Sequence, residues 1–216
     1  MTETTAPGGY APSRGGAVNV EIVPDWERPA AAVIGAFGQH TTANIGDALG
    51  RLGMPDAGIA QLWDSGTISG SALTVLVTAG DDLAVIEALE SIRPGDIIVI
   101  NGFGYTGRAV MGDILAGLFA KNGAVGAVVD GAIRDAREIE AQSFPVWTRA
   151  VTPAGPWKNG PGTVGHPVAI GGVVVHPGDV VVADVDGVVF VPLRQAERVL
   201  AELKRVVEFE TRMHES

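Results

Sequence analysis

Between Asp96 and Thr148 the chain alternates strand-forming and helix-forming segments in close succession, and that rhythm limits the possible folds more than any other feature. Ile97-Ile-Val-Ile100 is a continuous β-branched run of the kind a buried strand needs. A helix is expected over Asp113–Lys121, opened by an acidic residue and closed by Asn122-Gly123. Strand Val125–Val129, helix Arg134–Ala141 and strand Val146–Thr148 follow. This is a βαβ rhythm, and it places the chain in the α/β class. The C-terminal third reads differently. Val168–Pro192 is almost all strand, with turns at Gly171-Gly172, His176–Asp179 and Asp184–Gly187, and an amphipathic helix is expected from about Arg194 towards Glu215. A β-meander joined to a βαβ core is not a plain doubly wound sheet.

The N-terminal half fits the same picture. Residues 1–20, rich in Thr, Gly, Pro and Ala, read as a flexible tail before one domain over 21–216. Residues 41–52 carry Ile45, Leu49 and Leu52 at helical spacing after Thr41 or Thr42 as a cap. Ile68–Val77 reads as strand, and Gly80-Asp-Asp82 caps an expected helix over Leu83–Ile92. The stretch 152–165 is dense in Pro and Gly and reads as irregular.

Composition excludes several functions. A formal charge of -10 argues against nucleic acid or an anionic membrane as partner, and an anionic substrate would need a local positive patch. With no cysteine there is no thiol catalysis, disulfide or thiolate metal site, so any metal must sit on oxygen or imidazole. Apolar runs are broken well before membrane-spanning length, and no secretory signal stands at the N-terminus. A soluble cytoplasmic protein is expected.

One cluster points to chemistry. Asp113 opens a helix, and after a complete strand the pair Arg134-Asp135 stands where that strand gives way to the next helix. Open α/β sheets place ligands at such strand ends. Each residue alone has a structural explanation: acids suit the first turn of a helix, and charged pairs solvate a helix start. Together they also describe a pocket for a 2-oxo acid. The backbone N–H groups of Gly112, Asp113, Ile114 and Leu115 can bind a carboxylate. Arg134 can add a bidentate grip, and Asp135 is a hard oxygen ligand for Mg²⁺ or Mn²⁺.

Other features carry less. Gly102-x-Gly104-x-x-Gly107 has the form of a dinucleotide fingerprint, but the next helix starts only near Gly112, so a flexible lip beside a ligand is the better reading. His40, His166, His176 and His214 lack metal-type spacing. Lys121 stands at a helix C-terminus, where electrostatics alone explain it, so carbanion chemistry here points to metal and not imine. Asp184 and Asp186 read as turn residues. Arg108 and Arg149 are candidates to read the far end of a substrate, or are surface residues.

The runs Gly107-Arg-Ala-Val-Met-Gly-Asp-Ile-Leu-Ala116, Gly126-Ala-Val-Val-Asp-Gly-Ala-Ile-Arg-Asp135, Phe144-Pro-Val-Trp147 and Val174–Pro192 together resemble the RraA-like family. It comprises 4-hydroxy-4-methyl-2-oxoglutarate/4-carboxy-4-hydroxy-2-oxoadipate aldolases and regulators of ribonuclease activity. The resemblance implies a β/β/α sandwich of the swivelling phosphohistidine-domain type, assembled as homotrimers or hexamers with sites between subunits. It implies a class II pyruvate aldolase using Mg²⁺ or Mn²⁺, with oxaloacetate decarboxylation as a second activity. By position, Asp135 would ligate the metal, Arg134 and the Gly112–Leu115 backbone would bind the pyruvyl moiety, and Asp113 would hold a water for proton transfer. An acidic residue from a neighbouring subunit is also implied, with Glu208 and Glu210 as candidates. The alternative within the family is a regulatory protein that docks on a ribonuclease.

Overall fold

The computed structural model describes residues 20–214. The tail expected over 1–20, Val20 excepted, and the helix end expected at Glu215 lie outside the described residues. In chain order the strands are β1 (Val20–Ile22), β2 (Ala60–Gln61), β3 (Ile68–Val77), β4 (Asp96–Met111), β5 (Gly126–Ile133), β6 (Val146–Val151), β7 (Gly162–Val164), β8 (Val168–Ile170), β9 (Val173–Val175), β10 (Val180–Asp184) and β11 (Gly187–Val191). The helices are α1 (Ala31–Phe37), α2 (Thr42–Ala48), α3 (Leu83–Glu87), α4 (Asp113–Lys121), α5 (Ala136–Ala141) and α6 (Ala196–His214). The mixed α/β class expected from the sequence is what forms.

Strands β3, β4, β5 and β6 run parallel, with α3, α4 and α5 as their crossovers. Around them β7 pairs antiparallel with β3, β1 joins β7, and β2 closes the far edge on β6. The β10–β11 hairpin adds to the sheet through β3, and β8–β9 form a separate small ladder.

Side chains of a strand alternate between its faces, and here that alternation sorts the core. From β3 and β4, Leu73, Val75, Ile98 and Ile100 face α3, α4 and α5, whereas Ala72, Ile97 and Val99 face the opposite way. On β10 and β11, Val181, Ala183, Val188 and Phe190 turn inward to meet that second face. Their neighbours Val180, Val182, Val189 and Val191 turn outward under α1, α2 and α6. Two strand layers thus enclose one apolar cluster and helices cover both outer faces. Phe119 of α4 and Phe144, just after α5, pack with ring centroids 6.4 Å apart in the first cluster, worth about 0.5–1.5 kcal/mol beyond their burial. This contact seats the two helices that carry the candidate site.

Buried aspartates tie the pieces together. Asp184 accepts from the Thr42 N–H (2.8 Å), the Thr42 hydroxyl (2.7 Å) and the Asp186 N–H (3.0 Å). It therefore serves its own turn, as expected, and also anchors the start of α2. Asp96 receives Arg28 through Nε (2.9 Å) and Nη2 (3.0 Å).

Several expectations are corrected. The glycine-rich segment 101–108 is not a flexible lip but part of β4, which stays paired with β5 through a series of register shifts. The helix expected over 41–52 stops at Ala48, because Gly50 (φ 76°) and Arg51 (φ 64°) turn left-handed and leave Leu52 69% exposed. The helix expected over Leu83–Ile92 passes into a 3₁₀ turn at Ala88–Ser91. The irregular stretch 152–165 contains β7. The helix expected from Arg134 begins at Ala136, with Asp135 as its cap.

Candidate active site

Gly112 is where β4 hands over to α4. No side chain caps this helix, and its first ladder bond runs from the Ala116 N–H to the Gly112 carbonyl (3.0 Å). The amides of Asp113, Ile114 and Leu115 therefore precede the ladder, and the positive end of the helix dipole is presented there. Leu115, Ala116 and Phe119 are buried and hold α4 in place, while Asp113 is half-buried.

One strand over, the Arg134 N–H donates to the Met111 carbonyl (3.0 Å), which fixes Arg134-Asp135 beside Gly112. A Cβ on Gly112 would stand 2.5 Å from Asp135 Oδ2 and 3.0 Å from Arg134 Nε. Only glycine leaves that space open. Asp135 itself is left-handed (φ 57°, ψ 41°), a conformation costing a non-glycine residue on the order of 1 kcal/mol and concentrated at functional sites. Arg134 Nε and Asp135 Oδ2 lie 3.2 Å apart, and each side chain is about one-third exposed at 35% and 34%. The two groups of opposite charge open together onto the cradle beside the α4 amides. Structure thus brings Gly112, Asp113, Arg134 and Asp135 to one place, with Ile114 and Leu115 contributing backbone.

A strap over residues 154–159 forms another wall. The Ala109 N–H donates to the Ala154 carbonyl (2.9 Å), and Arg108 Nη1 donates to the Gly155 carbonyl (2.7 Å). The Arg108 guanidinium lies over the Trp157 ring, 4.0 Å from its centroid. A Cβ on Gly155 would meet Arg134 Nη1 at 3.1 Å, so the strap passes against the site arginine. Trp157 is tied to the turn before α3 by backbone bonds with Gly80 and Asp82. Lys158 Nζ pairs with the buried Asp82 (2.9 Å), whose carboxyl is pushed above its ordinary range by burial, with Lys158 and Arg134 pulling the other way. The site thus includes Asp82, Trp157, Lys158 and Gly155; from sequence Asp82 reads only as part of a helix cap, and none of the four is assigned to the site. The one available signal was the density of Pro and Gly at 152–165, which reads as a loop without saying what the loop touches.

Other candidates fall elsewhere. Arg149 grips Asp56 through both terminal nitrogens (2.8 and 2.7 Å) and Asp130 through Nε, so it is committed to a structural clamp. The Gly102–Gly107 pattern has no helix at its third glycine, and a side chain at Gly107 would run into the Tyr105 ring. That removes the geometry a dinucleotide fold needs. Glu210 receives the Asn44 amide (2.7 Å) within its own chain, and Glu208 is exposed on α6. Helix α6 packs on α1 and α2, whereas α4 packs on α5.

A divalent cation can be tested against these residues. Among the described residues no group of three or more histidines and carboxylates could hold a metal. A cation here would take Asp135 as its protein ligand and fill its shell with water and substrate oxygens. That donor set fits Mg²⁺ or Mn²⁺, which keep several waters, and does not fit a closed structural zinc site.

Residues 42–190 match the family model described as RraA-like, Aldolase/RraA. A protein of Halalkalibacterium halodurans, provisionally named a 4-hydroxy-4-methyl-2-oxoglutarate aldolase, is 42% identical over 164 residues, covering 76% of this chain and 78% of its own. The crystal structure of Streptomyces coelicolor RraAS2, described as an unusual member of the RNase ES inhibitor RraA protein family, superposes with a TM-score of 0.80 at 31% identity, covering 88% of this chain and 99% of that one. The RNA-processing inhibitor RraA from Thermus thermophilis gives 0.65 at 27% identity, over 71% of this chain and 93% of its own. Among the described residues no helix is long and apolar enough to cross a membrane. Its family match, its relatives and the arrangement around Gly112 lead to one conclusion: the chain belongs to the RraA-like family.

Proposed function

We propose that the protein is a divalent-metal-dependent carbon–carbon lyase that releases pyruvate from 4-hydroxy-4-methyl-2-oxoglutarate or a similar 2-oxo acid, and that it also decarboxylates oxaloacetate. The observation that carries this reading is the cradle at Gly112, where an uncapped helix start, a guanidinium and a carboxylate meet in a space that one methyl group would fill. The names of the curated relatives support the same reaction class.

In this reading Arg134 and the amides of residues 113–115 hold the substrate's 2-oxo carboxylate. A cation held by Asp135 would supply Lewis-acid stabilisation of the charge that develops as the bond breaks. The C4 hydroxyl gives up its proton to water as the C3–C4 bond breaks and C4 becomes the carbonyl of one pyruvate. C3 takes a proton to become the methyl group of the other. In this reading Asp113, at the first position of α4, holds the water that delivers it.

The structural relatives described as ribonuclease or RNA-processing inhibitors support a second reading, a docking protein with the same fold. Assembly of Asp113, Arg134 and Asp135 at one cradle favours the lyase. The deciding experiment measures pyruvate from 4-hydroxy-4-methyl-2-oxoglutarate and from oxaloacetate, with Mg²⁺, Mn²⁺ or chelator, for wild type and Arg134→Ala. Release that requires metal and collapses in the variant supports the lyase. Release insensitive to both, or none at all, favours the docking protein.

A further inference from the structure

Among the described residues five cationic side chains are half-buried: Arg28, Arg108, Arg134, Arg149 and Lys158. Four of them hold a carboxylate, respectively Asp96, Asp135, Asp56 with Asp130, and Asp82. Arg108 does not. Its contacts are the Gly155 carbonyl, which takes one N–H at 2.7 Å, and the face of Trp157 at 4.0 Å. A half-buried guanidinium with no carboxylate beside it leaves N–H donors that an anionic ligand can fill.

Its surroundings restrict where that ligand can sit. Gly80 leaves room for the stem, since a Cβ there would meet Arg108 Cβ at 3.1 Å and Cδ at 3.3 Å. Stacking on Trp157 and the bond to Gly155 fix the plane of the guanidinium, so little rotamer entropy remains to be lost on binding. Gly155 is also the residue whose Cβ position lies 3.1 Å from Arg134 Nη1. Two guanidinium groups therefore flank a single residue of the strap, one on its carbonyl and one on its Cα side. Trp157 is 54% exposed, so the stack lies at the mouth of the cradle.

We infer that Arg108, held flat on Trp157, is a specificity-determining residue that receives the distal carboxylate of a 2-oxo dicarboxylate whose 2-oxo carboxylate is held at Arg134. The inference deepens the lyase reading and rests on it for the placement of the pyruvyl end. Within that reading it assigns recognition of the substrate's second carboxylate to Arg108 and makes monocarboxylic 2-oxo acids poorer ligands.

The test compares binding and turnover in the full chain with Mg²⁺ present. Calorimetry gives Kd for 2-oxoglutarate and 2-oxobutyrate, a pair that differs in the distal carboxylate. Pyruvate release is measured from 4-hydroxy-4-methyl-2-oxoglutarate and 4-hydroxy-2-oxopentanoate. Wild type should favour the dicarboxylate in both assays. Arg108→Gln should cut that preference by about 10- to 100-fold, the size of one lost charge-assisted hydrogen-bonded pair, and Arg108→Lys should restore part of it. A preference unchanged in Arg108→Gln, or a loss equal for both ligands, overturns the inference while pyruvate release by wild type leaves the lyase standing. If wild type releases no pyruvate yet shows a dicarboxylate preference that Arg108→Gln removes, the subsite stands and the lyase reading falls. Binding of neither ligand together with no pyruvate from either substrate overturns both.

Discussion

Replacing Gly112 with alanine adds one methyl group at the centre of the candidate site. The added carbon would stand 2.5 Å from Asp135 Oδ2, 3.0 Å from Arg134 Nε and 3.1 Å from Arg134 Cγ, whereas ordinary contact begins near 3.4 Å. The Asp135 carboxylate must therefore retreat by about 1 Å, a misplacement that costs a reaction of this kind on the order of 100-fold. Stability should respond far less. The Gly112 backbone (φ −137°, ψ −171°) is extended and open to any residue, and the displaced side chains are one-third exposed and able to swing outward. We expect a change within about 1 kcal/mol, or roughly 2–4 °C in Tm for a chain of this size. Pyruvate release from 4-hydroxy-4-methyl-2-oxoglutarate, coupled to lactate dehydrogenase and read as NADH loss, gives kcat/KM, and circular dichroism melts give Tm. A Gly112→Ala protein that melts like wild type and keeps kcat/KM within about threefold would refute the assignment of this cradle.

Asp113→Asn should lower kcat by roughly 10²- to 10⁴-fold with KM little changed, as expected when proton transfer and not binding is lost; steady-state kinetics separate the two. Asp184→Ala leaves the Thr42 N–H, the Thr42 hydroxyl and the Asp186 N–H without their acceptor, and urea melts should show a loss of about 2–4 kcal/mol. Asp56 is held at about 2, below its ordinary 3.8, first by the hydrogen bonds from Arg149. A depressed carboxyl stabilises the fold above its unfolded value and loses that contribution as pH falls through the folded one. The Tm difference between wild type and Asp56→Asn should therefore be constant above about pH 4, shrink between 3.8 and about 2, and weaken with salt because the pair is exposed. A difference as large at pH 2 as at pH 5 would contradict it.

Much of this was legible because the local signals agree with one another. Helix α4 begins and ends where Asp113 and Asn122-Gly123 place it, and β3 runs over Ile68–Val77 as read. Gly112, Asp113, Arg134 and Asp135 were recognisable because a crossover helix and a parallel strand carry the chain from the end of β4 to the end of β5, so their convergence follows from the βαβ rhythm. What stayed hidden depends on contacts between distant segments. Nothing near Pro156-Trp-Lys158 announces that this strap returns to Gly80–Asp82 and leans on Arg108 and Arg134. The commitment of Arg149 to Asp56 and Asp130 needs partners 93 and 19 residues away. Glycines 102, 104 and 107 suggested a loop because their pairing with β5 through register shifts is a property of two strands together.

Pyruvate release by metal-depleted protein, titrated with Mn²⁺ for wild type and Asp135→Asn side by side, bears most directly on the proposal that a cation on Asp135 drives the reaction. Wild type should be silent without metal and rise to saturation as Mn²⁺ is added, while Asp135→Asn should stay silent or require at least about 100-fold more metal. Release from metal-depleted wild type, or a variant that titrates as wild type does, would contradict the account.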